Sequence, residues 1–180
     1  MTLAERVRYA DFHPRIMSAD AAAALIPHGA NVGMSGFTGA GYPKALPQAI
    51  AARARAEHAA GKPYKINVWT GASTASEADG VMAEADALGQ RLPFNTDPIA
   101  RRKINEGQID FIDMHLSHVA QHAWFGFLGP MQVAVVEVLG VTADGLLIPS
   151  TSVGNNKTWL EIADHVILEV NTQLPARMEG

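Results

Sequence analysis

The run Met131-Gln132-Val133-Ala134-Val135-Val136-Glu137-Val138 is apolar with no polar face over its middle. A strand buried on both faces reads this way, and such strands belong to parallel sheets covered by helices. Ala30 to Met34 is a second short apolar strand. Tyr64-Lys65-Ile66-Asn67-Val68-Trp69 alternates as a strand should, and Ile109 to Ile112 and His165 to Val170 add two more. Helical patterns fill the spaces between. Ser18-Ala19-Asp20 caps the short run Ala21 to Ile26, and Lys44 to Ala60 is an alanine-rich helix stopped by Gly61. Further helices are predicted over Glu77 to Leu88 (Gly89 as stop), Asp97 to Asn105 (opened by Asp97 and Pro98), His118 to Phe127 and Asn156 to Asp164. Strand and helix alternate, so the pattern predicts a single α/β domain: a mostly parallel sheet with helices on both faces and right-handed crossovers.

Ligands of such sheets bind beyond the carboxyl ends of the strands. Four stretches are predicted there. Ser35-Gly36-Phe37-Thr38-Gly39-Ala40-Gly41-Tyr42-Pro43 follows the first strand, and Thr70-Gly71-Ala72-Ser73 follows the second. Pro93 to Thr96 and Ser150 to Asn155 each precede a helix. Gly36, Gly39 and Gly41 let the backbone turn sharply and bare its N–H groups, here expected at a helix N-terminus, where a carboxylate or carbonyl oxygen is favoured. Their order, G-x-x-G-x-G, is the reverse of a dinucleotide fingerprint, and Lys44 follows proline rather than closing a P-loop. Ser73, Asn95 and Thr96 are short polar side chains at the same rim, although Ser73 and Thr96 equally suit helix capping. Phe37 and Phe94 can wall a pocket or simply pack.

Composition narrows the chemistry. The chain has 180 residues, 48% of them hydrophobic and 18% charged, with a net charge of −4. This suits a folded domain and provides no basic field for nucleic acid. Arg101-Arg102-Lys103, the one dense basic cluster, is expected on a solvated helix face. The absence of cysteine excludes disulfides and thiolate chemistry. His115, His118 and His122 fall near one helix face, but without the spacing of a common zinc motif, so capping or interface roles are expected. Glu137 in its apolar strand is expected to be structurally paired, and Glu77 and Asp79 to act as helix N-terminal charges. No apolar run reaches the length of a membrane span, and residues 1–15 carry no signal-peptide core, so a cytoplasmic address is expected.

S-G-F-x-x-x-G-x-P, carried by Ser35, Gly36, Phe37, Gly41 and Pro43, resembles the first signature of class I coenzyme A transferases, usually G-G-F-x-x-x-G-x-P. Ser35 in place of glycine is similar to the acetyl-CoA hydrolase/transferase branch, which includes succinyl-CoA:acetate CoA-transferases. Trp69-Thr70-Gly71-Ala72-Ser73-Thr74, Pro93-Phe94-Asn95-Thr96 and Pro149-Ser150-Thr151-Ser152-Val153-Gly154-Asn155 resemble that branch too. The resemblance runs from about Arg6 to Gly180. It implies a CoA-transferase-type fold and acyl-CoA with a small carboxylate as substrates. Coenzyme A is then substrate and product, with no metal. Gly36, Phe37, Thr38, Gly39, Ala40, Gly41, Ser73, Asn95 and Thr96 are expected to line the carboxylate pocket. The family's glutamate nucleophile has no counterpart here. The chain therefore reads as an N-terminal domain ending at a boundary near Met178-Glu179-Gly180, inactive alone, whose full protein is a homodimer. The alternatives are an acetyl-CoA hydrolase, or a non-catalytic acyl- or carboxylate-binding module or subunit. An isolated half is expected to expose an apolar face.

Overall fold

The computed structural model describes residues 2–179. Seven strands form one sheet: β1 (Asn31–Met34), β2 (Ile66–Ser73), β3 (Leu88–Asn95), β4 (Asp110–Phe111), β5 (Val133–Val141), β6 (Leu147–Pro149) and β7 (His165–Val170). They run in the order β4-β3-β2-β1-β5. The far edge of β5 is shared: β7 pairs in parallel with Val133–Glu137, and β6 pairs antiparallel with Val138–Val141. All other pairings are parallel. All nine residues of β5 are buried, as its unbroken apolar pattern requires. Each valine taken out of water there contributes about 1.5–3 kcal/mol.

Helices cover both faces. The larger core packs α2 (Ala19–Ala24), α3 (Ala45–Ala59), α4 (Val81–Glu84) and α5 (Pro98–Asn105) on one side through Ile26, Ile50, Ala54, Met82 and Ala100. The opposite core joins α6 (Leu116–Trp124) and α7 (Asn156–Ile162) to the sheet through Val119, Ala123, Trp159 and Trp69. Caps follow the local chemistry. The Ser18 hydroxyl accepts from Ala21 N–H, and the Asp97 carboxylate accepts from Ile99 and Ala100 N–H, both at 2.9 Å. A short helix, α1 (Leu3–Arg6), precedes a 3-10 turn over Ala10–Arg15. None of the described helices is long and apolar enough to cross a membrane.

Four sequence expectations are corrected. The helix expected over Glu77 to Leu88 is a π-turn, Ser76–Gly80, followed by one α-turn that ends at Glu84, and Leu88 and Gly89 instead open β3. Thr70 to Ser73 is not a turn but part of β2, whose pairing with β3 shifts register between Trp69 and Ala72. Pro93, Phe94 and Asn95 likewise belong to β3. Arg91, at the centre of that missed strand, is wholly buried. The expected solvated basic cluster is also divided: Lys103 turns inward, with its ammonium on Ala83 C=O at 2.7 Å and on the Asp86 carboxylate.

Candidate functional site

The four stretches expected at the rim meet there. Thr38 bridges Ser73, and Thr38 N–H donates to Ala72 C=O at 2.6 Å. Ala72 and Ser73 of β2 lie in register with Phe94 and Asn95 of β3. The fourth stretch closes from the other side: a Cβ on Gly41 would stand 2.9 Å from Ser152 N, and one on Gly154 would stand 3.5 Å from Gly36 O. Gly71 is needed for the approach of the first two stretches, because a side chain there would fall 2.8 Å from Gly36 O.

The glycine turn is built for reach rather than for helix initiation. Gly36 and Gly41 have φ of 119° and 68°, a region glycine enters without strain. Thr38 has φ 54°, an outlier for a β-branched residue. Phe37 and Ala40 exchange backbone hydrogen bonds at 2.9 and 3.2 Å. Among the described residues, the N–H groups of Gly36, Gly39 and Gly41 donate to no acceptor. The expectation that these amides sit at a helix N-terminus is corrected. Helix α3 begins at Ala45, and its first-turn donors are already taken: Glu169 of β7 accepts from Lys44, Ala45 and Leu46 N–H at 2.5, 3.0 and 2.9 Å. Glu137, in register with Glu169 on the neighbouring strand, is buried. Its Oε2 accepts from the Lys44 ammonium and from Asn171 Nδ2 at 3.1 Å, and its Oε1 has no partner. Glu137 is therefore structurally paired, as its mid-strand position predicts.

Neither Ser73 nor Thr96 caps a helix: Asp97 caps α5, and the π-turn has no side-chain cap. Asn95 is buried, and its Oδ1 accepts from Asp97 N–H at 2.7 Å, which fixes its amide orientation. Its Nδ2 is a buried donor without an acceptor. Thr96 is exposed beside it. Behind Ser73 lies a buried ion pair. Arg91 Nε donates to Asp79 Oδ1 at 2.8 Å, and its Nη2 donates to Thr70 Oγ1 at 2.8 Å. Asp79 does lie in the first turn of the π-turn, as expected of a helix N-terminal charge, but its carboxylate is engaged by Arg91. Glu77 lies beside Tyr42, whose ionisation is pushed up chiefly by burial and then by the Glu77 charge.

Ser35, Gly36, Thr38, Tyr42, Ser73 and Asp79 line a small, partly open space of about 10 Å³, room for one water. The wider space is an open trough of about 510 Å³ lined by Ala72, Phe94 and residues 113–116. Phe37 and Phe94 are both about half exposed at this rim. The histidines serve α6 itself. His115 Nδ1 caps its start at Ser117 N–H, and His122 Nδ1 bonds His118 C=O at 2.8 Å.

The family model for the acetyl-CoA hydrolase/transferase N-terminal domain matches residues 1–180. The chain belongs to the acetyl-CoA hydrolase/transferase family. It is 48% identical over 155 residues to a propanoyl-CoA:succinate CoA transferase of Escherichia coli, covering 86% of this chain and 32% of that protein. It is 38% identical over 176 residues to a succinyl-CoA:acetate CoA-transferase of Clostridium kluyveri, covering 98% and 32%. It is 33% identical over 183 residues to an acetyl-CoA hydrolase of Schizosaccharomyces pombe, covering 97% and 34%. The chain thus spans about a third of the length of these relatives. In fold it is similar to RipA from Yersinia pestis, with TM-score 0.66 and 20% identity over 88% of this chain and 37% of that one. It is also similar to the acyl-CoA transferase YdiF from E. coli, with TM-score 0.58 and 12% identity over 91% and 44%.

For this acetyl-CoA hydrolase/transferase domain, sequence reasoning located the rim but missed what holds it. Arg91, Asp79 and Glu169 carry no motif. The available signal for Arg91 was an arginine flanked by buried-type residues, Leu88 and Leu92.

Proposed function

We propose that this domain forms the carboxylate-side half of the active site of an acyl-CoA:carboxylate CoA-transferase of the acetate/succinate type. The observation that carries this reading is a set of donors without acceptors at one rim: the Gly36, Gly39 and Gly41 amides and the buried Asn95 Nδ2. Gly36, Gly41 and Asn95 are buried, where an unpaired donor is costly, and an incoming carboxylate satisfies them together with the exposed Gly39 amide. The unengaged Ser73 and Thr96 hydroxyls extend the same surface. Phe37, Thr38 and Ala40 complete the wall that faces the acid. Among the described residues, neither the small space behind Ser73 nor the open trough encloses an acyl substrate, which supports a half-cleft that a second segment closes.

That segment brings the nucleophile. A glutamate carboxylate attacks the thioester carbonyl of acyl-CoA, the C–S bond breaks, and an acyl-glutamyl anhydride and CoA thiolate form. The thiolate then attacks the glutamyl carbonyl, giving a glutamyl-CoA thioester and releasing the first acid. The same two steps, reversed with the second acid, transfer CoA to it. This domain's donors hold the leaving or entering carboxylate in line and lower the cost of its charge. Coenzyme A is substrate and product, no metal takes part, and the working enzyme is a cytoplasmic homodimer. Acetyl-CoA hydrolysis is the second reading, favoured by the hydrolase relative; water then takes the place of the acceptor acid.

The test compares residues 1–180 with a chain continued through the second segment that the relatives carry, each given acetyl-CoA or succinyl-CoA with and without a free acid. The longer chain is expected to form the new thioester only when the acid is present, and the shorter chain to do nothing. Transfer by residues 1–180 overturns the division of labour. CoA release independent of acceptor decides for hydrolysis.

A further inference from the structure

We propose that Ser35 is a positioning residue whose hydroxyl sets the opening of the glycine turn and hence the spacing of its free amides. The inference rests on reading that turn as the carboxylate cradle. Ser35 is buried, at 2% exposure. Its Oγ donates to Gly41 C=O at 2.7 Å and accepts from Glu137 N–H at 2.9 Å. Its own N–H donates to Val135 C=O at 2.8 Å. One hydroxyl thus spans the mouth of the turn, from its first residue to its last glycine, and ties both to β5. The Lys44 ammonium makes a second tie just beyond, to Tyr42 C=O at 2.7 Å and to the Glu137 carboxylate.

The two ends of the turn have little freedom of their own. A Cβ on Gly36 would lie 2.8 Å from Tyr42 Cβ, so backbone and side chain are already in contact there. Between these fixed ends, no hydrogen bond from the Gly36, Gly39 or Gly41 N–H groups restrains the loop. The Phe37–Ala40 bonds and the Thr38 N–H bond to Ala72 C=O hold its tip, and the Ser35 bridge is the one that crosses its mouth. Removing the hydroxyl leaves Gly41 C=O and Glu137 N–H unpaired in the interior. The turn then relaxes until one of them finds a partner, which moves the amides out of register.

The experiment uses the full-length enzyme with acetyl-CoA as donor and a free acid as acceptor. Ser35→Ala is expected to raise the KM for the acid roughly tenfold, as if the displaced amides made about one neutral hydrogen bond fewer to it. The KM for acetyl-CoA, which has no carboxylate to place, should change less than about twofold on the same reasoning. Amide exchange over residues 36–42 should quicken, and Ser35→Thr, which keeps the hydroxyl, should restore most of the acid's affinity. If Ser35→Ala does not fold, Ser35→Cys keeps the volume with a weak S–H donor and carries the same measurement. An unchanged KM for the acid overturns the proposal. A parallel loss of both KM values and kcat that tracks the melting temperature also overturns it. Asn95→Asp separates this from the underlying reading: it exchanges the free amide donor for an oxygen and should weaken the acid more than tenfold by repulsion. If Asn95→Asp leaves the acid's KM unchanged, the cradle itself fails. If it acts and Ser35→Ala does not, only the Ser35 inference falls.

Discussion

Asp79→Asn should be among the most damaging single substitutions in this domain, even though Asp79 carries no motif. Arg91 and Asp79 are 0% and 1% exposed, so both charges are cut off from bulk solvent. The guanidinium is shared among five acceptors: both Asp79 oxygens (2.8 and 3.3 Å), Thr70 Oγ1 (2.8 Å), Val68 C=O (3.3 Å) and Leu92 C=O. Removing the carboxylate charge leaves a buried cation with only neutral dipoles around it, at a cost of about 3–5 kcal/mol. Against a total stability of about 5–15 kcal/mol, that is about a fifth of the whole at the least and most of it for a marginal domain. At about 2–4 °C per kcal/mol for a chain of this size, the melting temperature falls by about 6–20 °C. The exposed pair Arg102–Glu106, at 4.0 Å with side chains 64% and 48% exposed, is the control, and losing it should cost under about 0.5 kcal/mol. The assay is urea and thermal unfolding followed by circular dichroism, run as a double-mutant cycle with Arg91→Met. The double variant should recover most of the loss, because no orphaned charge remains. A loss below about 1 kcal/mol for Asp79→Asn, or a double variant no better than the single, would refute the reasoning.

Glu169→Ala frees three N–H groups at the start of α3 and should cost about 1–2 kcal/mol, with Glu169→Gln milder; faster amide exchange at Ala45 and Leu46 and a lower urea midpoint are the readouts. Thr38→Asn places a residue that tolerates φ 54° where threonine is strained and should raise stability by about 1 kcal/mol, seen as a higher melting temperature. The Tyr64 phenol is pushed up chiefly by burial, and its O–H donates to Ile26 C=O at 3.2 Å. The folded value therefore lies above the unfolded one. The stability this group contributes is complete below the ordinary phenol value near 10 and is lost as pH rises through the folded value. Phenolate absorbance should show Tyr64 ionising later than a free tyrosine, and a normal titration would contradict this.

What was legible in the sequence is what the backbone demands locally. A turn with positive φ needs glycine, so Gly36 and Gly41 were visible. A strand buried on both faces needs unbroken apolar residues, so β5 was visible. Asp97 had to be a cap, because it precedes proline at a helix start. What was illegible is what one segment does for another far away. Strand β3 was hidden because Gly89, Arg91 and Pro93 interrupt its apolar pattern, and Arg91 is acceptable inside only because Asp79, twelve residues earlier, faces it. The start of α3 looked open to a ligand because its partner, Glu169, lies more than a hundred residues away and reaches it only through the β5–β7 pairing. The same division explains the site. Glycines and short hydroxyls reveal where an acid is held, since those residue types are required at the point of contact. The parts that determine how firmly it is held are a serine that bridges its own turn, a glutamate pair in register on two strands and a buried arginine. Each is an ordinary residue made significant by topology, so the supports of such a cradle emerge only once the strand order is known.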